Sequence, residues 1–230
     1  MITAIILAGG IGSRIGASIP KQFIEVNGKP ILAYTLEAFQ THPMIDRIIV
    51  VSVTGWESVV MSYSQAFGIS KLSSVIAGGL SAIDSISKGV NSIKSDEKDI
   101  IVIHDGVRPL VEKRMITDAI ETARIHGAAM SAIPLKEHVF VLDNSGSASS
   151  YLPRENGIRS STPQAFQSHI LLNAFRKNHN TAYSSTLMID IGQSIYPSYG
   201  SEKNFKITTK EDIELFKALL QIDSMDEKED

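Results

Sequence analysis

The residues most able to do chemistry stand near the start of the chain, in Leu7-Ala8-Gly9-Gly10-Ile11-Gly12-Ser13-Arg14 and then Pro20-Lys21-Gln22-Phe23. Glycine has no Cβ, so backbone N–H groups in such a turn can close on an anion. Arg14 and Lys21 add two cations to the same short loop, enough to hold a polyphosphate. A plain strand-to-helix turn with two solvated cations has the same pattern, and the glycine run alone does not separate the two readings. The spacing departs from the dinucleotide fingerprint, since Ile15 stands where a third glycine would, and no G-x-x-x-x-G-K-[ST] run occurs.

His104-Asp105-Gly106-Val107-Arg108-Pro109 is a second informative stretch. A carboxylate at a strand end beside a polyphosphate loop is placed to hold Mg²⁺ on phosphate oxygens. Arg108 can fork onto a second phosphate. An Asp that caps the next turn and pairs with the Arg is the structural alternative. Gly78-Gly79, ahead of a helix, could admit a base edge, with Asp84 and Ser85 beside it, or could be a tight turn and nothing more. Lys206 falls in the apolar run Asn204-Phe205-Lys206-Ile207, which reads as a strand. There it points into a cleft or lies on a sheet edge. Arg154 and Arg159, near Thr162-Pro163-Gln164, could bring further phosphate donors, and the six histidines show no ligand spacing for zinc.

These parts suit phosphoryl chemistry without a general base. A phosphate monoester has its second pKa near 6 and is already a dianionic nucleophile at neutral pH. Catalysis then reduces to aligning it with an NTP α-phosphate and neutralising charge, which Arg14, Lys21, Lys206 and an Asp105-bound Mg²⁺ can do.

The elements that must position these residues alternate along the chain. Apolar runs at Ile2–Leu7, Ile48–Val53, Ser74–Ala77, Asp99–Ile103 and Ala128–Ile133 read as strands. Amphipathic stretches at Lys29–His42, Trp56–Phe67, Ala82–Ile93 and Arg114–His126 read as helices between them. The pattern predicts an α/β fold, a Rossmann-like, mostly parallel sheet flanked by helices, with ligands beyond the strands' carboxyl ends. The turns at Gly9–Arg14, Gly78-Gly79 and His104–Arg108 should therefore meet in one crevice. Residues 136–157 break the alternation and read as a protruding β-hairpin arm, marginal alone and so a candidate dimer contact. Helices are expected at Ser168–Lys177 and Ser184–Ile191. Thr209-Lys210-Glu211-Asp212 matches a capping box opening a last helix to about Gln221. With no internal repeat or linker, residues 1–230 read as a single domain carrying the arm.

Composition narrows the partners. A chain of 230 residues, 43% hydrophobic and 20% charged, has room for one large soluble core. A net charge of −3 argues against nucleic acid as a general partner, and the lack of cysteine excludes disulfides and thiolate chemistry. No signal peptide or membrane-spanning run is read, so the cytoplasm is the expected location.

Taken in order, Leu7–Phe23, Gly78-Gly79 with Asp84-Ser85, His104–Pro109, Arg154 with Thr162-Pro163-Gln164, and Asn204–Thr208 with Glu211-Asp212 resemble one family across nearly the whole chain. It is the CTP-dependent cytidylyltransferases acting on 2-C-methyl-D-erythritol 4-phosphate or D-ribitol 5-phosphate. The resemblance implies CTP and a polyol phosphate as substrates, Mg²⁺, release of pyrophosphate, and a homodimer whose arms reach the neighbour's site. It implies that Arg14, Lys21 and Lys206 are catalytic, and that Leu7, Ala8, Gly9, Gly10, Gly12, Gly79, Asp84, Ser85 and Asp105 bind the nucleotide. Asp105 would also hold the metal and, with Arg108, His138, Arg154 and Thr162, the acceptor. Three departures stand out. Ala82 replaces the family's usual Arg and Leu80 its Asp; Glu137-His138 replaces an Asp-Thr pair on the arm; and Tyr183-Ser184-Ser185 replaces an acidic stretch. Retained cations with altered acceptor-side residues favour an active enzyme with a changed acceptor. The first eight residues of the glycine loop lean towards ribitol phosphate, a precursor for cell-surface polymers. A CTP-binding protein without turnover is the alternative; a dehydrogenase ranks last, because the required glycine and acidic residue are missing.

Overall fold

The computed structural model describes residues 1–10, 16, 19–94, 96–177 and 181–226, with the backbone alone at 223–226. In chain order these form β1 (Ile2–Ala8), β2 (Glu25–Val26), β3 (Lys29–Pro30), α1 (Ile31–Gln40), β4 (Arg47–Ser52), α2 (Glu57–Ala66), β5 (Leu72–Ala77), α3 (Ala82–Asn91) and β6 (Ile100–Asp105). There follow α4 (Lys113–His126), β7 (Ala128–Pro134), β8 (Val139–Leu142), β9 (Ala148–Leu152), β10 (Ile158–Gln167), α5 (Ser168–Lys177), α6 (Ser184–Asp190), β11 (Tyr196–Tyr199) and α7 (Lys210–Asp226).

Among the described residues, seven strands form one sheet in the order β11-β7-β10-β6-β1-β4-β5. All neighbours run parallel except β10, which is antiparallel to both β6 and β7. Successive residues of a strand face opposite sides, and both sides are filled. Ile6, Val50 and Val102 pack on one side against Leu36, Phe39 and Ile120. Ile5, Val51 and Ile103 pack on the other against Ile86, Val90 and Leu171. A smaller cluster of Val26, Ile31, Val107, Ile207, Ile213 and Phe216 lies beneath α7. It seats the two loops that carry Arg108 and Lys206.

Most expected elements stand within a few residues of their predicted bounds; one expected strand does not form, and β10 and β11 stand where none was expected. Asn204–Ile207 is an extended loop, not a strand: Ile207 N–H donates to Val107 O at 2.9 Å, and its apolar side chain packs under α7 rather than into the sheet. The edge strand is instead β11, paired with β7 through Tyr196↔Ala129. No element is assigned from sequence to the ten residues of β10, because Arg159-Ser160-Ser161-Thr162-Pro163 lacks alternation. Pro163 falls where the β7 register shifts, between Ser160 and Gln164, so no ladder N–H is required of it. Finally, α1 begins at Ile31, with Pro30 as its N-cap at φ −60°, ψ 141° and still paired in β3.

The arm appears as read. β8 and β9 pair with each other, Phe140 opposite Tyr151, and join no other strand. Asp143 closes the turn by accepting from the N–H groups of Ser145 and Ser147. Val139, Phe140, Val141 and Leu142 are all exposed.

Candidate active site

The register fixes where the chemistry lies. Leu7 on β1 pairs with Asp105 on β6 and with Val51 on β4, and Ser52 pairs with Ala77 on β5, so four strands end on one side. The turns that follow wall a crevice of about 560 Å³. Leu7, Ala8, Gly9 and Gly10 form one wall, and Gly79, Leu80, Ser81, Ala82 and Ser85 the opposite one. Lys21, Gln22, Asp105, Val107, Lys206 and Thr208 line the space between. The expected convergence of three turns is therefore observed.

The Gly79 wall is tied back on itself. Gly79 N–H donates to Ser85 Oγ at 3.0 Å, and that hydroxyl donates onward to Ser81 O at 3.0 Å. Ser81 caps α3 by accepting from Asp84 N–H at 3.2 Å. A Cβ at Gly79 would sit 2.3 Å from Asp84 Cβ, so the turn requires glycine. Ser85, expected to read a base, has its hydroxyl committed to shaping the turn, and Asp84 stands behind it in the first turn of α3. Glycine at Gly9 and Gly10 is not required by internal packing: added Cβ atoms there would meet nothing closer than 3.5 Å.

Asp105 is the hub of the opposite end. Its Oδ1 accepts from Lys206 Nζ at 3.0 Å and its Oδ2 from Arg108 Nε at 2.8 Å. Arg108 Nη1 donates to Asn204 O at 2.8 Å, and Asn204 Nδ2 donates to Thr162 O at 2.7 Å. Thr162 Oγ1 accepts the Asp105 N–H at 3.1 Å and closes the ring. Lys21, 8% exposed, donates to Ile207 O at 2.7 Å and so lies beside the Lys206 loop. Gln22 Nε2 donates to Ala8 O at 2.5 Å, holding the lysine's own segment against β1.

This geometry sets the charge states. Burial pushes the Asp105 carboxyl up, but Lys206 and Arg108 outweigh it and bring the pKa down to about 2. The neighbouring His104 is fully buried; burial lowers its pKa to about 4 despite a hydrogen bond to Arg108 O at 3.1 Å. It packs on Phe39 at 5.0 Å between ring centroids, and its Nδ1 has no partner. It is therefore a neutral strut under the Asp105 turn at neutral pH.

The site residues expected from sequence divide into three groups. Leu7, Ala8, Gly9, Gly10, Lys21, Gly79, Ser85, Asp105 and Lys206 line the crevice, and Arg108 and Thr162 join it through the Asp105 ring. Asp84, in the first turn of α3, does not line it, and His138 and Arg154 lie exposed on or beside the arm and line none of it; Arg154 donates to Lys136 O at 3.2 Å. Arg14 and Gly12 lie outside the described residues. Lys206 takes its place from a loop rather than a sheet edge. Structural parts played by Gln22, Ser81 and Asn204 were not foreseen. Ser81-x-x-Asp84, one residue after two glycines, was a readable capping signal, whereas nothing local marks a long-range tie such as that of Asn204.

Comparison with known proteins places the whole chain among relatives. The family model described as "IspD: 2-C-methyl-D-erythritol 4-phosphate cytidylyltransferase" matches residues 2–222. A ribitol-5-phosphate cytidylyltransferase from Lacticaseibacillus paracasei is 43% identical over 230 residues, covering 96% of this chain and 98% of that protein. A 2-C-methyl-D-erythritol 4-phosphate cytidylyltransferase from Clostridium novyi is 34% identical over 223 residues, covering 95% of this chain and 96% of that protein. Among solved structures, a 4-diphosphocytidyl-2C-methyl-D-erythritol synthase from Anaerococcus prevotii superposes with a TM-score of 0.84 at 26% identity, covering 96% of this chain and 98% of its own.

Proposed function

Since the chain belongs to the 2-C-methyl-D-erythritol 4-phosphate cytidylyltransferase family, we propose that this nucleotidyltransferase moves the cytidylyl group of CTP onto ribitol 5-phosphate, forming CDP-ribitol and pyrophosphate. Cytidylyl transfer from CTP to a polyol phosphate is the family's reaction; ribitol is the finer reading. It is supported by the 43% identity to a ribitol-5-phosphate cytidylyltransferase, against 34% for the methylerythritol relative.

One observation carries the mechanism. The carboxylate in the crevice, Asp105, is held ionised between Lys206 and Arg108 and makes a poor general base. A phosphate dianion needs none: one of its oxygens attacks the α-phosphorus of CTP, a new P–O bond forms, and the bond to the departing pyrophosphate breaks. Arg14, Lys21 and Lys206 would offset the charge that gathers on the α-phosphoryl oxygens and the leaving group. Leu7, Ala8, Gly9, Gly10, Gly12, Gly79, Asp84 and Ser85 would shape the nucleotide's seat. Arg108 and Thr162, with His138 and Arg154 from an arm, would hold the acceptor.

Mg²⁺ belongs to the proposal as well. Among the described residues no cluster of three or more His, Asp or Glu side chains could hold a metal alone. One carboxylate suffices for Mg²⁺ when phosphate oxygens and waters complete its shell, and Asp105 fits that part. Bound there, the ion would neutralise phosphate charge. The same reading takes residues 1–230 as one domain, the arm as a homodimer contact, and the cytoplasm as the location. No helix among the described residues is long and apolar enough to cross a membrane.

The test is pyrophosphate release from CTP and Mg²⁺ across ribitol 5-phosphate, methylerythritol 4-phosphate, glycerol phosphates and other pentose and heptose phosphates. Preferred turnover of ribitol 5-phosphate is expected. Turnover of methylerythritol 4-phosphate instead would move the acceptor assignment. Silence across the panel with CTP still bound would favour a binding protein without turnover.

A further inference from the structure

Behind the Asp105 ring lies a second, smaller hollow of about 190 Å³. Lys206 lines both it and the crevice, and Arg108, paired with Asp105, forms part of its wall, so the two spaces are neighbours across that ion-paired ring. Away from that end its polar lining consists of Ser160, Ser161, Ser201 and Glu202, with Arg159 beside them, while Ile133 and Phe205 supply apolar wall. Glu202 is half-exposed and paired on both oxygens: Lys136 Nζ reaches Oε1 at 3.2 Å and Arg159 Nη2 pairs with Oε2. Asn204, 2% exposed, also lines the hollow, and its Oδ1 has no partner within the protein.

A string of adjacent hydroxyls is an unusual ligand, since each is both donor and acceptor. Recognising it takes fixed acceptors, fixed donors and groups that are both. Here the Glu202 carboxylate only accepts, Arg108, Arg159 and Lys206 only donate, and the serine hydroxyls do either. We propose that this hollow is the polyol-chain subsite of the acceptor, in which Glu202 and the serines read the hydroxyls farthest from the reacting phosphate. With the phosphate at Lys206, the five-carbon chain would pass that lysine into the hollow and lay its carbons against Ile133 and Phe205. The assignment rests on the ribitol 5-phosphate reading above, and it makes Glu202 a specificity residue rather than a surface ion-pair partner. A site that hydrogen-bonds a hydroxyl rejects an analogue lacking it more strongly than an apolar pocket rejects an extra group.

Ribitol 5-phosphate is compared with its 1-deoxy analogue, each as substrate or as competitive inhibitor, on the unmodified enzyme and on Glu202→Gln. The unmodified enzyme should favour ribitol 5-phosphate by about tenfold or more. Glu202→Gln should lower kcat/KM for ribitol 5-phosphate by about tenfold, through KM, and close most of the gap to the deoxy compound. KM for CTP and the melting temperature should stay unchanged. An equal loss on both acceptors would reduce Glu202 to a structural ion pair and overturn the subsite, as would no loss on either. An unmodified enzyme that ignores ribitol 5-phosphate overturns the acceptor reading itself, before any variant is made, and the subsite with it.

Discussion

Asp105 shows how much one residue's surroundings decide. Left alone in a half-closed site it would be a candidate base; between Lys206 and Arg108 it is a fixed anion. Removing the lysine as Lys206→Ala should cost both a transition-state contact and that fixation, lowering kcat/KM by about 10²–10³. Pyrophosphate release reads the loss, and a change of less than about threefold would contradict the role. The pH response follows from two depressed pKa values. Asp105 falls from 3.8 to about 2, so its contribution, about 2 kcal/mol, is present above pH 4 and lost as pH falls towards 2. His104 falls from 6.5 to about 4; the unfolded chain takes up that proton first, so stability drops as pH falls from 6.5 to 4. Chemical denaturation of His104→Asn across that window should show a flatter dependence than the unmodified protein. Lys21, Asp105 and Arg108 were legible because charged residues beside glycine turns need a reason. Asn204 was not: a residue whose side-chain amide and backbone carbonyl find partners 42 and 96 positions away leaves no local trace.

Elements put those residues in place, and their legibility followed the same rule. Buried parallel strands are written as apolar runs, so β1, β4 and β6 could be read directly. β10 could not, because its polar half with Pro163 sits at a register shift where no regular pattern is demanded. Asn204–Ile207 shows the reverse failure: an apolar alternation that serves a loop packed under α7. The cap of that helix was read correctly. Asp212 Oδ2 accepts from the N–H groups of Thr208 and Thr209, and Thr209 Oγ1 accepts from Asp212 N–H at 3.3 Å. Thr209→Ala should therefore cost about 1 kcal/mol in urea denaturation. On the crevice's other wall, Gly79→Ala forces a Cβ to 2.3 Å from Asp84 Cβ. The turn must shift, and KM for CTP should rise by about tenfold while the melting temperature changes by only a few degrees.

At the scale of the whole molecule, the arm is the part without a counterpart in its own chain. Four successive apolar residues, Val139–Leu142, stand exposed on a hairpin that pairs only with itself. Isolated hairpins are marginal, which supports the proposal that a second copy covers it. Phe140→Asp should yield a monomer by sedimentation and weaken acceptor use more than CTP binding; an unchanged dimer would move the interface elsewhere. The mostly parallel sheet and the meeting of three turns were predictable from the strand–helix alternation, because ligands of such sheets gather beyond the strands' carboxyl ends, whereas the strand order was not. The proposed partnership across chains came from the isolation of the arm and from the family resemblance, because nothing within one chain specifies what covers such a hairpin.

The Lys21–Ile207 hydrogen bond spans 186 positions, and the Asp105 ring also waits for Asn204. The strands that wall the crevice and the loop that brings Lys206 to it lie far apart in the chain. The two lysines that line the crevice therefore meet only once those distant segments have docked, so its charge is completed by tertiary structure and by no single local motif.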